Sequence, residues 1–578
     1  MLKNLTVFAR ALHPRFVGLV LASFIIAPLG QASELRGMIS ERILQGMQTT
    51  ASDQETESLA LVQSTYVEHL FEPIWVAEFG PKDKALALAN ALRALKDDGL
   101  DPADYGVDQI DALLGQDSLE ARADLEVALS LALVQAGSDL ASGRLEPRQV
   151  YPSAYVYPLD VDKRELLNSA RTAPNMPDFL SRLQPAQDNY HRLRLALAKY
   201  RKLAETGWPE IPAGPPLKLG VQDQRVGMLR ERLSLWGDLP ATVHTEQPDL
   251  FDAPLVEAVK RFQYRHGLKQ DGAIGKASLA ALNVSARVRV QQILLNMERR
   301  RWMKDRFEPR YVFVNLADFF LKVVDTVDDR EKTVFTTHVV VGKPYHQTPE
   351  FSHAITYLVI NPYWNVPISI ARREILPKLR KDPDYLSRKN FALLSGWGKN
   401  AYEIDPYAVD WVNMTAREFR FRLRQGPGAG NALGRIKFMF PNKHNVYLHD
   451  TPSRSLFKRT RRTFSHGCIR VQNPDQLAAV LLRWQGGWPS EKIGRTIENG
   501  KRTVVSLSNP VPVHLAYITA WANKDHTVHF RDDVYGRDAM LARALLGHEL
   551  GEVVRKYARG VPLANLDNPQ ERPVSALH

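Results

Sequence analysis

Ser465-His466-Gly467-Cys468-Ile469-Arg470-Val471 decides how this chain is read. Cys468 is the one cysteine in 578 residues. A solitary thiol in an oxidising compartment is open to oxidation and to wrong disulfides, so an exported chain that retains one points to chemistry at it. The alternative is a buried cysteine serving as a small apolar residue. Composition alone leaves both open, and the neighbours decide. A free thiol has a pKa of about 8.5 and needs a base or positive neighbours to become a nucleophile. His466 lies two residues before the cysteine, at a fixed and awkward distance if both share a strand. His449, in Tyr447-Leu448-His449-Asp450-Thr451-Pro452, can reach the sulfur from an adjacent strand and is the favoured base on geometry.

Working outward, β-branched and aromatic runs separated by turn residues fill Tyr311-Val312-Phe313-Val314-Asn315-Leu316, Thr337 to Val341, Ile355 to Ile360 and Thr503-Val504-Val505. They predict a β-rich domain over 310–510. Residues 370–430 read as a more helical, basic insertion, too long for an ordinary loop and therefore a lid or subdomain. Upstream, 285–309 reads as an amphipathic connecting helix with Val290, Ile293, Leu294 and Met297 on one face. Residues 217–284 form a compact unit of short helices that contains Phe262-Gln263 and Asp271-Gly272-Ala273-Ile274-Gly275. Residues 33–216 read as a helical scaffold ending in a proline-rich linker, and 511–578 as a carboxy-terminal extension. The fold class expected is α+β multidomain.

Lys3, Arg10 and Arg15, the apolar run Phe16 to Leu29 and Gly30-Gln31-Ala32 have the layout of a secretory signal peptide over 1–32. Periplasmic localisation follows, with membrane association only if the leader stays uncleaved. The formal net charge of +12 predicts attraction to polyanions. An exported protein meets little nucleic acid, so none is expected as a partner. Anionic cell wall or membrane surface fits better.

The compact unit 217–284 resembles the three-helix peptidoglycan-binding module, on its phenylalanine-glutamine helix, Asp-Gly-x-Ile-Gly turn and closing Ala281-Leu282-Asn283. The histidine, loop and Ser-His-Gly-Cys resemble the L,D-transpeptidase (YkuD-type) catalytic domain. The likeness extends to Val341-Gly342-Lys343-Pro344, Gln347-Thr348-Pro349, Asn361-Pro362-Tyr363-Trp364-Asn365 and Asn431-Ala432-Leu433-Gly434-Arg435-Ile436-Lys437-Phe438. The domain order is similar to that of large periplasmic L,D-transpeptidases of Gram-negative bacteria.

The resemblance implies Cys468 as nucleophile, His449 as general base and the Asp450 backbone carbonyl orienting it. It also implies oxyanion contacts from the Gly467 and Cys468 N–H groups, with Tyr447, His466, Arg470 and Trp364 lining the substrate. Arg470 is either a partner for a substrate carboxylate or a framework ion pair. The implied reaction forms 3→3 cross-links between peptidoglycan stem peptides, a tetrapeptide donor and a diaminopimelate acceptor, through a Cys468 thioester. An L,D-carboxypeptidase that trims tetrapeptide stems is the nearest alternative, and an inactive wall-binding scaffold the next. Other cell-wall synthesis proteins are expected partners.

No cofactor or metal is expected. His449, His466 and Cys468 fall short of the four ligands usual for structural zinc. His548-Glu549-Leu550-Gly551-Glu552 has glutamate where a zinc protease needs its second histidine, and Gly426 to Gly430 lacks the lysine of a phosphate loop.

Overall fold

The computed structural model describes residues 31–50, 53–243, 245–303, 307–328 and 330–547. The leader read at 1–32 lies outside these but for its last two positions, and residues 548–552 lie outside entirely. The chain is an α+β multidomain protein in two compact units. One comprises the described part of residues 1–93, with 102–136 and 162–179. The other comprises 94–101, 137–161 and the described part of 180–578. Among the described residues no helix is long and apolar enough to cross a membrane.

The first unit is helical, built from Gln31–Thr49, Asp53–Glu68, Asp83–Arg93, Val107–Leu114 and Lys163–Thr172, with most of Leu119–Ser142. Among the described residues its core contains one carboxylate, Glu126. That side chain accepts hydrogen bonds from the Tyr66 hydroxyl at 2.5 Å and from the backbone N–H groups of Ile74, Trp75 and Val76. Three consecutive donors are satisfied by one buried acid, which is how a non-helical turn survives in the core.

The span read as one scaffold, 33–216, is shared between the units. Helix Asp188–Thr206 belongs to the second, because Tyr190, Leu193, Leu197 and Tyr200 are buried with Ile293, Met297 and Phe530. In the same unit, helices Arg225–Trp236, Ala253–Arg265 and Lys276–Leu282 enclose Leu229, Leu233, Phe251, Leu255, Val259 and Phe262. Gln263 shows why the phenylalanine-glutamine helix and the Asp-Gly turn occur together. Its amide donates to Asp271 and Ser278 side chains and to Ala273 O, and accepts from Gly272 N–H at 2.9 Å. Gly272 has φ +69°, a conformation open to glycine.

Helix Ala286–Arg301, expected to be amphipathic, is buried on nearly every side. Its polar residues are paired rather than solvated. Asn296 and Gln292 hydrogen-bond Thr519, Arg299 pairs with Asp538 at 2.5 Å, and Arg301 with Glu298 at 3.1 Å.

The β-rich region is a closed sheet. Strands run in the order Ile436–Met439, Leu448–His449, Ile469–Val471, Arg330–Gly342, Phe320–Val327, Arg310–Asn315, Thr503–Ala516 and Glu350–Ile360. Glu350–Ile360 then pairs with Ile436–Met439, so the path meets itself and leaves few free edges. Val312, Leu321, Val339, Leu358, Phe438, Leu448, Ile469 and Val513 fill the interior. Strand Thr503–Ala516 crosses the boundary placed at residue 510, because its second half pairs with Arg310–Asn315.

The insertion is a small body of its own, with more strand than its composition foretold. Trp364–Asn365, Arg422–Gln425 and Phe391–Leu394 form a three-stranded sheet. Val366, Ile375, Leu379, Leu386, Leu393, Trp411, Phe419 and Leu423 make a separate core beneath it.

Candidate active site

Leu448–His449 runs parallel to Ile469–Val471, with Leu448 opposite Ile469 and His449 opposite Arg470. On its other side His449 faces Lys437 and Leu448 faces Phe438. Side chains alternate across a strand. Phe438, Leu448 and Ile469 therefore enter the core, while Lys437, His449 and Arg470 share the opposite face. Tyr447 and Cys468 each precede these pairs by one position and join that same face. Three chain segments thus deliver a thiol, an imidazole, a phenol and two cations to one surface.

Cys468 is half-buried, its Sγ 3.6 Å from the Asn445 carbonyl oxygen. Burial pushes the thiol above its ordinary pKa, against opposing effects of hydrogen bonds from Tyr447 and the charges of Lys437 and Arg470. Burial, aided by the charge of Arg470, holds His449 down at about 3. Thiol and imidazole are both neutral at neutral pH. His449 Nδ1 lies 2.5 Å from the Asp450 carbonyl oxygen. An Nδ1–H donated there leaves Nε2 as the basic nitrogen.

The Asp450 carboxylate is spent on the turn, accepting from Arg435 N–H at 2.8 Å and Thr451 N–H at 2.6 Å and pairing with Arg454 at 2.6 Å. Gly434 packs where any Cβ would strike that carboxylate.

The loop before the cysteine is tightly bonded. Ser465 Oγ accepts from Gly467 N–H at 3.2 Å and donates to Cys468 O at 2.5 Å. Thr348 Oγ1 donates to Gly467 O at 2.8 Å. In a trans peptide the carbonyl and the following N–H point in opposite directions. Thr348 therefore fixes the plane that aims Cys468 N–H, which itself donates to no group among the described residues.

The remaining sequence-predicted residues are placed differently. His466 is exposed and meets the insertion, with Nε2 2.6 Å from Glu374 Oε1 and its ring 5.2 Å from that of His346. Arg470 is half-buried, its Nε has no hydrogen-bond partner, and it forms no ion pair among the described residues. Trp364, on a strand of the insertion's sheet, is partly buried against the insertion's core, its ring 6.0 Å from that of Phe391. Among the described residues no group of three His, Cys, Asp or Glu could hold a metal ion.

Sequence reading gave no role in the site to Lys437, Thr348 or Glu374. Lys437 stands with Nζ 3.8 Å from the Tyr447 ring centroid and was detectable from the alternation of Ile436-Lys437-Phe438. Thr348 and Glu374 reach the loop from 119 and 92 residues away and leave no local signal.

Residues 309–505 match the family model of the L,D-transpeptidase catalytic domain, YkuD. Residues 60–197 match the model of the scaffold domain, and 222–282 that described as "Putative peptidoglycan binding domain". A protein of Haemophilus influenzae named "Putative L,D-transpeptidase" is 33% identical over 267 residues, covering 46% of this chain and 51% of that protein. The match thus spans about half the length of that relative. A crystal structure of an L,D-transpeptidase from Stackebrandtia nassauensis aligns at 15% identity over 52% of this chain and 97% of that one, with a TM-score of 0.20. A fused Zn-dependent amidase/peptidase/peptidoglycan-binding protein from Clostridium acetobutylicum aligns at 11% identity over 53% of this chain and 100% of that one, with a TM-score of 0.15.

Proposed function

We propose that this chain, which carries an L,D-transpeptidase catalytic domain, a peptidoglycan-binding domain and a scaffold domain, is an exported cysteine enzyme that cross-links peptidoglycan stems. The observation that carries the reading is the shared face of Cys468, Tyr447, His449 and Arg470 on two parallel strands, with the His449 ring held by the Asp450 carbonyl. Export rests on the leader-like sequence at 1–32.

Cys468 Sγ attacks the carbonyl between diaminopimelate and the terminal D-alanine of a tetrapeptide donor. His449 Nε2 takes the thiol proton during the attack, since neither group is ionised beforehand, and then gives it to the departing D-alanine amine. The tetrahedral oxyanion meets Cys468 N–H, whose direction Thr348 sets, while Gly467 N–H is held by Ser465. Lys437 and Arg470 supply positive potential on the same side. Arg470, without an ion pair of its own, is the partner for a stem carboxylate, which a guanidinium binds with two hydrogen bonds. The side-chain amine of a second diaminopimelate attacks the thioester, releasing the thiol and forming a 3→3 link.

The test is incubation of the protein with disaccharide-tetrapeptide, followed by mass spectrometry. Dimer lacking one D-alanine is expected. Free tripeptide without dimer would assign a carboxypeptidase instead. Cys468→Ala should give neither product while remaining folded. His449→Ala should lose about a hundred- to ten-thousand-fold in turnover, and His466→Ala far less. The reverse order in two folded variants would move the base to His466.

A further inference from the structure

A cavity of about 500 Å³ is lined by Tyr155, Tyr157, Phe351, His353, Lys443 and His444 among others. Its lining contains no carboxylate. Lys443 Nζ stands 4.8 Å, and the Arg148 guanidinium 4.9 Å, from the Tyr155 ring centroid. Neither cation makes an ion pair among the described residues. The His444 ring lies tilted at 4.1 Å from Tyr155 and 5.0 Å from Phe351, and burial with the charges of Lys443 and Arg148 holds it below its ordinary pKa. Tyr157 is 68% exposed, a free aromatic face beside two unmatched positive charges.

The wall is rigid and adjoins the nucleophile. The Asn442 amide bonds Phe440 O at 2.6 Å and Val446 O at 2.7 Å, and its oxygen accepts from His444 N–H at 2.9 Å. The same loop presents the Asn445 carbonyl to Cys468 Sγ. Lys443 is two residues from Asn445, so its Cα lies within about 8 Å of the Asn445 Cα. Register separates this place from the insertion. The insertion leaves the sheet where Ile360 faces Ile436, whereas the pocket lies beyond the other end of that pair, past Met439 opposite Tyr357. The nucleophile is therefore approached from two ends, and a transfer between two stems needs two.

We propose that this pocket is the subsite for a second, acidic stem peptide, its free carboxylates set against Lys443 and Arg148 and its chain laid across Tyr157. The proposal rests on the transpeptidase reading above and adds where the second substrate sits.

Binding is measured on full-length Cys468→Ala, so that no turnover is needed, with a sugar-free tetrapeptide stem, its carboxyl-amidated form and a neutral disaccharide as probes. The acidic stem should bind, and either amidation or Lys443→Met should weaken it about tenfold, as loss of a charge-assisted hydrogen bond does. Tyr157→Ala should weaken it less. Equal binding of the amidated stem, an unchanged Kd in Lys443→Met, or preference for the disaccharide would overturn the assignment.

With the native cysteine, Lys443→Met should raise the KM for the acceptor stem severalfold and leave acylation by a reactive β-lactam unchanged. Failure of the unsubstituted protein to acylate would defeat the nucleophile assignment while the binding result stood. An equal fall in acylation would show that the loop, not a subsite, had been damaged.

Discussion

The loop before Cys468 is held from two directions, and the two holds differ in kind. The insertion is a body with its own core, and its hydrogen bond to the loop is His466–Glu374, whose side chains are 28% and 46% exposed. The segment 517–547 is fused into the domain. Arg537 is fully buried, pairs with Glu350 at 2.7 Å and donates to Thr348 O at 2.8 Å. Tyr535 hydroxyl donates to Gly342 O at 2.7 Å, and Asp533 caps the helix that carries Arg537. An exposed pair is worth about 0–1 kcal/mol and is screened by salt, so it can open during a catalytic cycle. A buried charge network cannot open without local unfolding. The difference teaches that the loop before Cys468 is fixed through Thr348 on one side and held on the other by a pair that is free to part.

The sharpest break is at the fixed side. Arg537→Ala strands the Glu350 carboxylate in the interior and should cost about 3–5 kcal/mol, lowering Tm by roughly 10 °C. Calorimetry should show the double variant Arg537→Met, Glu350→Gln recovering part of that loss. A single variant as stable as the parent would show the network to be ornamental.

Next is Thr348→Val, which keeps the side chain's shape and removes the hydroxyl that orients the Gly467–Cys468 peptide. Acylation of Cys468 should slow by about ten- to a hundredfold, somewhat less than loss of an oxyanion donor outright. Thr348→Ser should restore most of it. Retained speed in Thr348→Val would mean that the plane is set by Ser465 alone.

Arg470 gives a smaller, directional effect. Its charge helps to hold His449 near 3, so kcat/KM should have no acid limb near pH 6.5. Removing that charge in Arg470→Gln raises the imidazole pKa, and the limb should move up in pH. A profile unmoved by the substitution would separate Arg470 from the base.

The mildest change is Glu374→Gln. Stability should alter by less than about 1 kcal/mol, with acylation spared and the ratio of hydrolysed to cross-linked product raised. An insertion that is simply decoration would leave that ratio unchanged.

What could be read from sequence followed the range of the interactions. Ser465 to Val471 and Tyr447 to Thr451 are short runs whose strand pattern brings Cys468 and His449 to adjacent strands, and both lie where alternation places them. The Asp271-Gly272 turn was visible because Gln263 serves it from nearby. Helix Ala286–Arg301 was misjudged because Arg299 and Arg301 look solvent-seeking, yet Asp538, far along the chain, and Glu298, one turn away, neutralise them. Glu374, Thr348 and Arg537 were invisible for the same reason. A single polar residue whose partner is 92 to 187 positions away carries no periodicity.

Strand Thr503–Ala516 lies between Arg310–Asn315 and Glu350–Ile360. As the chain emerges amino-terminus first, the strands bearing His449 and Cys468 appear well before the one that completes their sheet. Such distant pairing is slow to form, and the earlier strands must wait with their edges bare. A nascent chain then has its thiol before the sheet around that thiol can close. Order of synthesis thus becomes order of folding: the sheet cannot close on itself until the chain from residue 503 onward has emerged.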